Sequence, residues 1–380
     1  MIADTLARHM GIAEDDPSRA EACLLYLLET GAGEGHTYVP EEALLLRSHD
    51  LFNIDMAQAR RGLNELIDAG FLYREDLIDD GDAPAIYLSR LWEAEDGIAQ
   101  RLVAMLTIPV PPLAIAQDEI MTALVEKLAI QLSHEQLRVL QEILAYQVAV
   151  ITGGPGTGKT TLIRSLTTIL GTLGERVLLA APTGRAARRL GDVTRHKAET
   201  LHKLLRYNMT SGEFDKTRDD PLETDAVIVD EASMIDTALM YHLLQALPMT
   251  AKLVLVGDVY QLPSVGPGNV LSDLIGSGRI KTFELKEIFR QADQSAITTN
   301  AHRVRKGQGI DHMVGADLDR LSEFSFQEEA QPDKVVNMVV ELCRNKIPDQ
   351  FGMDPVKDIQ VICPMHKGVV GTLNLNKVLQ

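Results

Sequence analysis

Cysteine is scarce in this chain: Cys23, Cys343 and Cys363 are the three present in 380 residues, and no two of them form a C-x-x-C pair. That spacing argues against a zinc site or a disulfide framework and fits a reducing cytoplasm. Long apolar runs are also missing. None approaches the roughly 20 residues needed to span a bilayer. The start, Met1-Ile2-Ala3-Asp4, has no charged and then apolar signal segment, so a soluble cytoplasmic protein with no membrane partner is expected. Basic residues are sparse at first: residues 1–100 hold 7 Lys/Arg against 21 Asp/Glu, or −14 of the total −17. So acidic a region suits a scaffold or a contact with a protein partner better than a nucleic-acid surface.

What is present is a chain that is 45% hydrophobic, enough for two or three cores. From Arg19 to about Leu91 the apolar spacing is helical, as in Leu24, Leu25, Leu27 and Leu28, then Leu63, Leu66 and Ile67. Two short strands are predicted at Phe71 to Tyr73 and Ala85 to Leu88, across the acidic turn Asp79-Asp80-Gly81-Asp82. A small, mainly helical, winged-helix-like domain is therefore expected over residues 1–100. A helical connector over 101–131 follows, broken at Pro109-Val110-Pro111-Pro112. From Leu132 the texture becomes α/β. Val148 to Ile151, Val177 to Ala180, Val227 to Val229 and Leu253 to Val256 are aliphatic runs, each leading within a few residues to Gly, Pro, Asp or Glu. They predict a mostly parallel sheet with helices on both faces, whose ligands gather at the carboxyl ends of the strands.

The first of those ends carries the strongest signal. Gly153-Gly154-Pro155-Gly156-Thr157-Gly158-Lys159-Thr160 fits G-x-x-x-x-G-K-[ST] between a strand and a helix. Its glycines let backbone N–H groups surround phosphate oxygens, and the helix adds its positive end. Lys159 is expected at the β/γ phosphates, Thr160 as a Mg²⁺ ligand, and Thr161 beside it in the nucleotide-contacting set. At the second end Asp230 is expected to hold Mg²⁺, and Glu231 to orient and deprotonate the attacking water. At the third, Gln261 in Gly257-Asp258-Val259-Tyr260-Gln261 is expected to sense the γ-phosphate and the water. Between Gly184 and Arg206 the sign of charge reverses. Arg185, Arg188, Arg189, Arg195, Lys197, Lys203 and Arg206 face only Asp192 and Glu199 there, a local surface for a polyanion or merely a solvated helix face.

In combination these residues resemble superfamily 1 DNA helicases of the RecD-like group, which move 5′ to 3′. The likeness runs from about Leu132 to Gln380 and more loosely over the acidic region, at Asp16 to Ala22 and Glu34 to Tyr38. It implies a RecA-like P-loop NTPase domain over 132–308 with ATP and Mg²⁺ as ligands. Leu132-Ser133-His134-Glu135-Gln136 resembles the motif whose glutamine reads adenine, which would make Gln136 an ATP-selecting residue. Ala181-Pro182-Thr183-Gly184-Arg185 and Thr200-Leu201-His202 resemble the two DNA-backbone motifs, implying that Thr183, Arg185, Thr200 and His202 contact single-stranded DNA without reading its sequence. Arg290 in Leu285 to Gln291 matches an arginine that touches the γ-phosphate. Residues 206–222 contain a possible β-hairpin, and Tyr260 stands where a smaller polar residue is more usual.

After a connector, Val361-Ile362-Cys363-Pro364 resembles the opening strand of a second motor domain within 309–380. The family's later motifs have no counterpart, so the resemblance implies an ATP-dependent 5′ to 3′ DNA helicase of which this chain is a fragment, binding MgATP but hydrolysing it slowly or not at all and deficient in unwinding. Repair and recombination are the processes it implies. Two alternatives stay open: a nucleotide-switched binding module, and a P-loop NTPase or kinase of another class.

Overall fold

The computed structural model describes residues 6–7, 9–13, 16–76, 84–110, 132–287, 295–310 and 323–380. The chain divides into two compact units, Met1–Glu287 and Ile288–Gln380.

The first unit begins with helix α1 (Pro17–Gly33), started by Asp16, whose carboxylate accepts from Ser18 N at 3.0 Å, with Pro17 pre-set for the first turn. Strand β1 (Tyr38–Pro40), helices α2 (Glu41–Phe52) and α3 (Met56–Asp68), and strands β2 (Leu72–Glu75) and β3 (Ala85–Leu88) follow. The strands form an antiparallel sheet in the order β1-β3-β2, and this succession of elements is that of a winged helix. Leu24, Leu28, Leu44, Leu45, Leu63 and Ile86 fill its core. The acidic turn expected at Asp79–Asp82 lies outside the described residues. Helix α4 (Ser89–Leu106) runs on from β3. Its Ile98, Leu102 and Met105 are buried in the core of the next domain, so the boundary expected at residue 100 falls inside a helix that both domains share.

That next domain comprises α5 (His134–Ile143), β4 (Val148–Gly153), α6 (Lys159–Thr172), β5 (Val177–Ala181), α7 (Gly184–Thr194), β6 (Ala198–Thr200), α8 (Leu201–Leu204), β9 (Ala226–Val229), α9 (Thr237–Ala246), β10 (Lys252–Gly257), α10 (Val270–Gly276) and β11 (Lys281–Leu285). Between α8 and β9 a two-stranded hairpin, β7 (Tyr207–Asn208) and β8 (Glu213–Phe214), projects as the sequence suggested. The six-stranded sheet has the order β11-β4-β10-β9-β5-β6, parallel throughout. Strand period divides its side chains between two cores. Val148, Val150, Val227, Val229, Leu253 and Leu255 join α4 and α9 on one face. Ala149, Ile151, Ala226, Ile228, Val254 and Val256 face α5 and α6 on the other. Burial on both faces makes these strands continuous apolar runs, each full Val, Leu or Ile burial contributing roughly 1.5–3 kcal/mol. The carboxyl ends of β4, β5, β9 and β10 lie along one edge of the sheet, as parallel neighbours must.

The second unit holds α11 (Ala296–Arg305), which had been expected inside the first motor domain, then α12 (Pro332–Glu341), α13 (Ile347–Phe351) and α14 (Thr372–Leu379). The strand expected at Val361–Cys363 does not form, and Ile362 is 85% exposed. A lone β segment with no ladder partner among the described residues has nothing to pair its backbone.

Candidate functional site

The phosphate loop turns at Gly156 (φ 78°) and Gly158 (φ 79°), left-handed positions that side chains disfavour. Gly153 is fixed for another reason. A Cβ there would lie 2.8 Å from Thr157 Oγ1 and 2.9 Å from the Leu285 carbonyl oxygen, because β11 packs against the loop base. Thr157 closes the turn by donating to the Gly154 carbonyl at 2.9 Å. Lys159, the first residue of α6, donates from Nζ to the carbonyls of Gly153 (2.7 Å) and Gly154 (3.0 Å), so its ammonium lies back over the loop. Thr160 and Thr161 follow in the first turn of α6, half-buried.

Gln136 takes a different position from the one expected of an adenine reader. It is 1% exposed. Its Oε1 accepts from Ser133 N at 3.1 Å in a capping box that starts α5. Its Nε2 donates to the Thr157 and Gly158 carbonyls at 3.3 and 3.4 Å. Both ends of the carboxamide are thus engaged within the protein, and the side chain ties α5 to the phosphate loop instead of facing outward to a base.

Asp230 ends β9 beside the loop. Burial pushes its carboxyl up to about 6, while the Glu231 N–H bond, Lys159 and Arg189 pull in the opposite direction. Glu231 N donates to Asp230 Oδ1 at 3.0 Å. The turn that aims Glu231 places it at φ 53°, ψ 40°, strained for a residue with a Cβ. Beyond β10, Asp258 organises the next turn. Its carboxylate accepts from Tyr260 N (3.1 Å) and its carbonyl from Gln261 N (3.0 Å).

A cleft of about 520 Å³ at this sheet edge is lined by Thr183, Arg185, Arg189, Glu231, Tyr260 and Gln261, among others. The structure therefore brings the expected water-orienting and sensing residues next to the first of the expected DNA-backbone motifs. Thr200 and His202 do not line that cleft. Thr200 ends β6, in register with Ala181 at the end of β5, and His202 follows it in α8. Thr183 and Thr200 cap α7 and α8, accepting from Ala186 N (3.3 Å) and Lys203 N (3.2 Å), which leaves each hydroxyl proton to donate. The His202 ring packs on Tyr207 (5.4 Å) and Phe214 (5.8 Å) at the root of the hairpin, a structural task the sequence did not reveal. Of the basic run, Lys197 and Lys203 both pair with Glu199, at 3.1 and 2.9 Å. Arg290 lies outside the described residues. Arg189, named in the basic run but not singled out as a site residue, lies one helical turn after Arg185, faces the same cleft and acts on Asp230. Its i, i+4 spacing from Arg185 was the available signal.

No helix among the described residues is long and apolar enough to cross a membrane. A family model described as "AAA domain" matches residues 131–325, a little over half of the chain. A second, described as "ATP-dependent RecD2 DNA helicase HHH domain", matches residues 1–38; the sequence reading had not separated such an element from the winged-helix-like region. The whole chain is 34% identical to the ATP-dependent RecD2 DNA helicase of Deinococcus radiodurans, covering 51% of it. Over 79% of the chain it is 31% identical to the RecBCD enzyme subunit RecD of Mycobacterium tuberculosis, covering 56% of that protein. The chain thus spans about half the length of the curated relatives it matches. Among solved structures, the Pif1 helicase from Candida albicans is 29% identical over 48% of this chain and 46% of its own, with a TM-score of 0.39. With one family model across its α/β domain and a second at its N-terminus, the chain belongs to the RecD-like helicase family.

Proposed function

We propose that this chain carries the nucleotide-hydrolysing and strand-gripping core of an ATP-dependent DNA helicase that moves 5′ to 3′ on single-stranded DNA. The observation that carries the reading is the shared cleft: Glu231 and Gln261, from the ends of β9 and β10, line it together with Thr183 and Arg185 from the end of β5 and the start of α7. In that arrangement a shift at the phosphate end is felt directly by the groups that would hold a strand, which is what a translocating motor needs.

The donor set fits MgATP. Asp230 and Thr160 offer hard oxygens, and the loop amides with the α6 N-terminus suit a polyphosphate. Bound Mg²⁺ would neutralise developing charge on the phosphates. Lys159, released from the Gly153 and Gly154 carbonyls, moves its charge to the β/γ phosphates. Glu231 accepts the proton of the attacking water, and Gln261 orients that water. Gln136 acts as a positioning residue for the loop. Arg185 binds a DNA phosphate, and the Thr183 and Thr200 hydroxyls donate to others. Backbone contacts of this kind are indifferent to base sequence. The acidic winged-helix-like domain is read as the contact for a protein partner.

The deciding experiment measures ATP binding and hydrolysis with and without single-stranded DNA, beside Lys159→Ala. Turnover raised by DNA and lost in the variant supports the motor. Brisk turnover indifferent to DNA would instead favour a phosphate-loop enzyme of another class, whereas nucleotide binding with turnover near background in both conditions is the outcome expected of a motor fragment or a nucleotide switch.

A further inference from the structure

A cavity of about 410 Å³ opens between α4 and α10, and it shares no lining residue with the cleft of Glu231 and Gln261. Its walls are two helical stripes. Ile98, Leu102, Val103 and Leu106 recur at three- and four-residue spacing along α4, and Val270 and Leu274 do so along α10. Val103 is 63% and Leu106 40% exposed, so part of this apolar wall is open to solvent. Small-molecule sites are commonly clefts of about 300–1,000 Å³, mostly apolar, with a few polar groups that fix orientation. This cavity has the same make-up.

The polar groups among those walls point to one kind of ligand. Thr237, the first residue of α9, lines the cavity at 1% exposure, and its hydroxyl makes no hydrogen bond with a described residue. A buried hydroxyl without a partner is destabilising, and a ligand bonded to it relieves that. Glu95 lies half-buried in the α4 wall, and Asp273 stands exposed at the rim on α10. Neither carboxylate forms an ion pair with a described residue. Burial pushes the Glu95 carboxyl up and Asp273 adds to the rise, while the neighbouring Thr37 and Tyr87 hydroxyls pull the other way. Two carboxylates and a hydroxyl offer acceptors to the three donors of a primary ammonium, and the apolar stripes suit the carbon skeleton that carries it. Arg279 lines the same cavity and disfavours a second positive charge on the ligand.

We propose that the cavity between α4 and α10 binds a small apolar molecule bearing one primary ammonium group, held by Glu95, Asp273 and Thr237. The site uses none of the residues assigned to nucleotide or DNA, so it stands apart from the reading of the cleft. A polyamine would set its further charges against Arg279. A neutral molecule would leave both carboxylates without a counter-charge.

Isothermal titration of the full chain with phenylbutylammonium, with phenylbutanol and with the trimethylammonium ion of the same skeleton tests each part. The wild type should bind the primary ammonium about tenfold or more tighter than the alcohol, and tighter than the trimethylammonium ion, which has no N–H to donate. Glu95→Gln combined with Asp273→Asn should remove the preference over the alcohol. Thr237→Val should narrow the gap between the primary and trimethylammonium ions. Ala99→Trp should block all three probes; Ala99 lines the cavity and is exposed, so the larger ring fills the opening without disturbing the core. A wild type that binds none of the probes, or binds the alcohol as tightly as the ammonium, overturns the proposal. So does an Ala99→Trp chain, folded by circular dichroism, that binds the ammonium like wild type, because the probe is then held elsewhere.

Discussion

The two adjacent carboxylates after β9 are held at a cost in stability, and that cost can be measured. Asp230 titrates near 6 rather than at its ordinary 3.8, chiefly through burial. Its proton is therefore bound more tightly in the folded chain. The group's contribution to stability is highest below about pH 4, declines as pH rises through 6, and is flat above, where the buried charge costs at most ~3 kcal/mol. Asp230→Asn keeps an acceptor for the Glu231 N–H and removes the charge. The nucleotide-free variant should be more stable than wild type in urea, by a gap that widens from pH 5 to pH 7, while its ATP turnover is lost. A gap that does not change with pH would show that the carboxyl is not perturbed. Glu231 carries backbone strain, at φ 53°. Glu231→Gly should therefore unfold at higher urea than Glu231→Ala, by about 1 kcal/mol, although both lose the proton acceptor. Equal stabilities would mean that the turn relaxes.

Single elements show where sequence reading succeeds and where it stops. Strands β4, β9 and β10 were legible because both faces are buried, and so was the place of the candidate residues directly after them at one edge of the sheet. Strands β6 (Ala198-Glu199-Thr200) and β11 (Lys281 to Leu285) were not. They are the two edges of the sheet, half-exposed and mixed in polarity, and resemble loops in one dimension. Strand β1 was missed because it is three residues long and ends in proline. The Gln136 Nε2 bonds to the Thr157 and Gly158 carbonyls and the approach of Arg189 to Asp230 depend on packing between elements distant in sequence, which the local signals, the Ser133–Gln136 capping box and the Arg185–Arg189 spacing, do not specify. Thr183 carries two readings at once, the cap of α7 that the structure shows and the strand contact proposed for it. Thr183→Ala should cost about 1 kcal/mol of stability through the lost cap and also weaken DNA binding, whereas Thr183→Ser should restore both. If Thr183→Ala lowers stability and leaves DNA affinity untouched, the hydroxyl is a cap alone.

Across the whole molecule, charge is segregated. The first 100 residues account for −14 of the −17, while Arg185 and Arg189 line the cleft on α7. A strand bound there is attracted locally and repelled from the acidic domain, so the net charge conceals a polar field. Salt separates the two contributions. Each phosphate neutralised on a single strand contributes about −0.7 to the slope of log affinity against log salt. If Arg185 binds one phosphate, Arg185→Ala should weaken binding of a fluorescent oligonucleotide and make that slope shallower by about 0.7, with the loss alike for different sequences. Thr183→Ser should leave the slope where it was. Should Arg185→Ala weaken binding with the slope unchanged, Arg185 organises the cleft without touching the strand, and the grip must be sought among the other basic side chains of α7 and the residues after β6.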